Sequence, residues 1–107
     1  MSIFDPDEVI TEYSLKEAIE DGVLVEIFKK QWGKMSGGKP IVASANVYEN
    51  IRQEALREIW GKYVLWQKYV MPKRPENERL FSVEIDAFTV WVLDDRVCYT
   101  ILYPTDY

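Results

Sequence analysis

The sequence predicts an α+β fold: a small, largely antiparallel sheet of three or four strands, with a C-terminal hairpin, one long helix and one short N-terminal helix packed on it. Three observations predict it. Ser14 and Glu17 form a helix-start signature, an apolar series from Ile51 to Trp66 runs at helical spacing, and two β-rich runs near the C-terminus flank a short acidic turn.

The first helix is predicted from Ser14-Leu15-Lys16-Glu17. A serine at the N-cap with glutamate three residues later satisfies two orphan backbone donors reciprocally. The helix runs to about Asp21, and Gly22 supplies the left-handed position that ends it. Val23 to Phe28 follows as a β-branched core strand. Residues 29–40 contain Gly33, Gly37, Gly38 and Pro40 and read as a loop, and Ile41-Val42-Ala43 as a brief strand.

Asn46, with Glu49 three residues on, reads as the N-cap of the longest helix. Ile51, Ala55, Ile59, Tyr63 and Trp66 lie on one face of a 3.6-residue period. Gly61 interrupts that face and costs about 1 kcal/mol against alanine, so a bend or break is expected there. Pro72 and Pro75 end any continuation. Leu80 to Leu93 reads as one arm of a hairpin, Asp94-Asp95-Arg96 as its turn and Val97 to Tyr103 as the other arm. Helices are expected on one side of the sheet.

With 107 residues, 48% of them hydrophobic, the chain suits one domain with an apolar core, residues 1–12 forming a flexible acidic segment. The lone Cys98 excludes an internal disulfide. No signal peptide and no run of membrane-spanning length is recognised, so a reducing cytoplasmic setting is expected, without a membrane partner.

The chain has no histidine. That removes the commonest general base and metal ligand, the Ser-His-Asp and Cys-His arrangements, and the usual zinc sites. The expectation is a non-enzymatic protein with no catalytic residues, no metal and no cofactor.

Charge is unevenly spread within a net −5: residues 1–28 hold eight acids and one base, whereas 29–39 hold four lysines and no acid. The candidate acidic surface comprises Asp5, Asp7, Glu8, Glu12, Glu17, Glu20 and Asp21. Such a surface suits a basic partner, including a nucleic-acid-binding protein, and repels nucleic acid itself. The candidate basic patch comprises Lys29, Lys30, Lys34 and Lys39 with an exposed Trp32.

Gly33 to Lys39 fits G-x-x-x-x-G-K, but Pro40 stands where a phosphate-binding loop needs a Mg²⁺-binding hydroxyl, and the residues after it look extended rather than helical. Small-ligand or nucleotide binding through this loop is an alternative reading. The stretch 62–74 interleaves bases with Tyr63, Trp66 and Tyr69, and a second alternative is stacking of single-stranded nucleic acid on it. The exposed aromatics expected of so small a domain are compatible with a homodimer.

Tyr13-Ser14-Leu15-Lys16-Glu17-Ala18-Ile19-Glu20-Asp21-Gly22-Val23-Leu24-Val25 resembles the opening of an uncharacterised family of small proteins from phages, plasmids and their prokaryotic hosts. The resemblance implies a helix-rich middle and a C-terminal hairpin, and transfers no activity. It also implies a mobile-element setting, in which small acidic proteins act as inhibitors of host defence by occupying a surface of a larger complex.

Overall fold

The computed structural model describes residues 12–107. Its elements, in chain order, are α1 (Glu12–Glu20), β1 (Leu24–Glu26), α2 (Trp32–Met35), β2 (Ile41–Ser44), α3 (Ala45–Asn50), α4 (Gln53–Tyr69), β3 (Phe81–Ile85), β4 (Phe88–Asp94) and β5 (Tyr99–Leu102). The five strands form one sheet in the order β1-β2-β5-β4-β3. Three of its joints are antiparallel, and the central β2–β5 joint is parallel. The α+β class and the C-terminal hairpin stand as read, while the strand count rises from three or four to five.

The fifth strand comes from the segment read as one arm, Leu80 to Leu93. It folds back at Asp86-Ala87 into β3 and β4, with Ile85 opposite Phe88. Both turn residues are left-handed, at φ 48° and 69°. That is the conformation of a tight two-residue hairpin, normally supplied by Asn-Gly or Asp-Gly.

Gly22, at φ 76°, ends α1 as expected. Its N–H donates to the carbonyl of Ile19 and that of Val23 to Ala18, the paired bonds of a Schellman cap. The start of α1 differs from the expectation, since Ser14 lies within the helix rather than at its N-cap. The segment 29–40 is also more ordered than a loop: a 3-10 turn at Lys29–Gln31 leads into α2.

The long helix is two helices. Ser44, not Asn46, caps α3, its hydroxyl accepting the Val47 N–H at 3.2 Å. The chain is extended at Ile51 and Arg52 before α4 begins. From there α4 runs unbroken through Gly61 to Tyr69. Gly61 is exposed with open space around it, so only helix propensity is lost there.

Helices lie on both faces of the sheet rather than one. Strand alternation puts Ile41, Ala43, Val90, Val92 and Ile101 on the face under α4, with Leu56, Ile59, Trp60 and Tyr63. The intervening Val42 and Leu102 face the other way, with Leu24 and Cys98, and pack on Leu15 and Ala18 of α1. Every residue of β2 is buried, as expected of a central strand covered twice.

Candidate functional site

On its own face of the sheet, α1 is the helix packed against the core. A nine-residue helix is about 13 Å long, while five strands span roughly 20 Å, so its cover is partial. Trp91, Leu93 and Val97 remain half-buried beside it.

A groove of about 480 Å³ opens along one flank of α1, lined by Leu15, Lys16, Ile19, Glu20, Glu26, Pro40 and Val97. Its floor is apolar, from Leu15, Ile19, Pro40 and Val97. Glu20 and Glu26 set carboxylates on its rim, with Lys16 as the one cation of the lining.

The C-terminal end of α1 is strongly negative. Glu17, Glu20 and Asp21 are exposed there, no base occupies the last turn, and among the described residues none of the three forms an ion pair. The helix C-terminus adds a partial charge of about −0.5 of the same sign. The arrangement is unfavourable for the isolated helix by roughly 0.3–1 kcal/mol per charge at low salt, and it favours any cation that approaches. Of the remaining acidic candidates, Asp5, Asp7 and Glu8 lie outside the described residues, and Glu12 is the first residue of α1.

The basic patch does not assemble as read. Trp32 is half-buried against the main core, and its indole N–H donates to the Ile27 carbonyl at 2.8 Å. Lys39 turns inward: its ammonium lies 2.6 Å from Asp94 Oδ1 and 4.3 Å from the centre of the Tyr99 ring. Lys29 pairs with Glu26 at 3.6 Å, while Lys30 and Lys34 are exposed. The glycine-lysine loop is followed by a strand, so no helix N-terminus meets a phosphate bound at Lys39.

In the stretch 62–74, Tyr63 and Trp66 serve the core while the bases stay exposed. Tyr63 is buried among Trp60, Trp66, Phe81 and Tyr99, with ring centres 5.3–6.0 Å away. Burial, then the carboxylate of Asp94, then the Tyr99 phenol push the Tyr63 phenol well above its usual range. Trp66 is half-buried, which leaves Tyr69 as the exposed ring of the three stacking candidates.

Of the acidic pair read as a turn, Asp94 is the last residue of β4, opposite Tyr99, and Asp95 enters the turn. Asp95 closes it, with its N–H bonded to the Cys98 carbonyl and its Oδ1 accepting from Val97 N. Among the described residues, no cluster of three or more acidic or cysteine side chains is placed to hold a metal ion. No described helix is long and apolar enough to cross a membrane.

Sequence reading found Glu17, Glu20 and Asp21 but missed Glu26, Pro40 and Val97. These come to the groove from β1, the entry to β2 and the β4–β5 turn. Only strand order and register join them, and no local pattern encodes those. No family model, no curated protein and no solved structure matches this chain.

Proposed function

We propose that the protein is a non-enzymatic binding module whose acidic α1 and adjoining groove take up a basic, amphipathic segment of another protein. The observation that carries this reading is the run of carboxylates at the C-terminal end of α1, Glu17, Glu20 and Asp21, beside an apolar groove rimmed by Glu20 and Glu26. An apolar floor beside the carboxylates of Glu20 and Glu26 suits a helix or strand bearing leucine-type side chains on one stripe and lysine or arginine beside it. In the mobile-element setting implied by the opening segment, such a module acts as an inhibitor that occupies the basic channel of a nucleic-acid-binding complex.

The test uses a synthetic helical peptide with lysines flanking a leucine stripe, followed by fluorescence anisotropy. Binding is expected at low salt and falls steeply as added salt shortens the Debye length to about 3 Å near 1 M. The Glu20→Lys/Glu26→Lys double variant weakens it at least about tenfold, equivalent to roughly 1.4 kcal/mol. Absence of binding at low salt, or equal binding by the double variant, rejects the reading.

A further inference from the structure

We infer that the free edge of the sheet at β3 is a homodimerisation surface, on which β3 of a second copy adds antiparallel about a two-fold axis through Val83. This surface is separate from the α1 groove and stands whether or not that groove binds a partner.

β3 is the outermost strand and pairs on one side only, with β4. In a two-residue hairpin closed by Ile85 and Phe88, the backbone groups of Ile85, Val83 and Phe81 bond inward. Those of Ser82 and Glu84 then point off the sheet. No backbone hydrogen bond joins Ser82 or Glu84 to any other described element.

Proteins usually blunt such an edge with proline, lysine, a bulge or a very short strand. β3 has five residues in unbroken register and no proline or lysine, whereas β1, at the opposite edge, is three residues long. Its one charged residue is Glu84.

The strand is complementary to itself in one register. With Val83 on the axis, Phe81 meets the second copy's Ile85 and Ser82 meets its Glu84, so each exposed carboxylate faces a hydroxyl donor. All five residues pair. Moving the axis to Glu84 sets two carboxylates face to face, which is destabilising. Moving it to Ser82 leaves Ile85 outside the strand pairing and sets Glu84 against Leu80.

A second observation lies on α4. Trp66 packs on Phe81 of the edge strand, while Trp60 packs on Tyr99 of β5, two strands further in. Tyr69 lies about one turn beyond Trp66 on the exposed surface of α4, with Leu65 one turn before it. They are the two most exposed large apolar side chains among the described residues, at 59% and 58%. A two-fold axis normal to the sheet brings the two α4 helices together on one face, and these side chains are what they bury.

The experiment is analytical ultracentrifugation of the full chain. The wild type sediments at twice the 12.6 kDa chain mass. Ser82→Glu, which opposes two carboxylates twice per dimer, raises the dissociation constant about tenfold, as does Leu65→Lys/Tyr69→Lys. Ser82→Lys, facing Glu84, lowers it. All three positions are exposed, and circular dichroism verifies that each variant is folded. A wild type that remains monomeric at about 100 μM overturns the proposal, as does a dimer that ignores Ser82→Glu, or one weakened alike by glutamate and lysine at position 82.

Discussion

The Ser44 hydroxyl donates to Asp106 Oδ2 at 2.7 Å while accepting the Val47 N–H at 3.2 Å, so one side chain caps α3 and ties it to the C-terminal 3-10 turn at Pro104–Asp106. The same carboxylate accepts from Asn46 Nδ2 at 2.8 Å and from the Tyr103 N–H at 3.1 Å. Three donors, one of them from a buried serine, converge on Asp106 across some sixty residues of chain.

Asp106→Ala is therefore expected to destabilise the fold by about 1–3 kcal/mol, because Ser44 and the Tyr103 N–H lose a charged acceptor. Ser44→Ala removes the cap as well and costs about 1 kcal/mol or more. Urea titration of the two single variants and the double variant measures the coupling. The sum of the two losses is expected to exceed the loss in the double variant, since they share one bond. Strict additivity contradicts the account.

How much of this was legible beforehand follows from where the information sits. The Gly22 stop, the apolar face of α4 and the acidic turn at Asp95 are local, and the structure reproduces them. Asn46 with a glutamate three residues on imitates a cap, but the better cap, Ser44, is held by a residue at the far end of the chain. Trp32 and Lys39 looked like surface groups because nothing nearby in sequence announces the Ile27 carbonyl, Asp94 or Tyr99 as partners. Aromatic residues between lysines suggested stacking at 62–74, yet helical spacing turned Tyr63 inward and left Tyr69 outside. Of the groove, the α1 rim could be read locally, and the floor depended on tertiary register.

The β3–β4 hairpin carries no turn signature in the sequence because Ala87 is an unusual choice for a left-handed position, at φ 69°. An alanine there costs about 1–2 kcal/mol relative to a residue that visits this region freely. Ala87→Gly is expected to stabilise the protein by about 1 kcal/mol after allowing for the extra entropy glycine loses on folding. It would also complete an Asp-Gly turn. Thermal unfolding shows this as a rise in Tm of roughly 4–8 °C for a domain of this size. A fall would mean that the Ala87 methyl makes contacts worth more than the strain.

Two buried acids, with the half-buried Tyr103 phenol also raised by burial and then by Asp106, shape the behaviour at high pH. Burial is the largest influence on the Cys98 thiol and raises it above its usual 9.0, the nearby Thr100 hydroxyl partly opposing. Tyr63 is likewise raised from 10.0, first by burial and then by Asp94. Both groups hold their protons more tightly folded than unfolded. Their contribution to stability is complete below the unfolded values and drains away as pH rises through 9.0 and then 10.0 toward the folded values. The urea midpoint is therefore expected to be flat near pH 8 and to fall progressively above it. Tyr63→Phe keeps the ring among Trp60, Phe81 and Tyr99 and should flatten the steeper, upper part of that fall. In the native protein near pH 8, Cys98, which has no exposed surface, should react with a disulfide reagent only as fast as the chain opens. Prompt labelling without denaturant would show that the sheet face under α1 opens more readily than its packing implies.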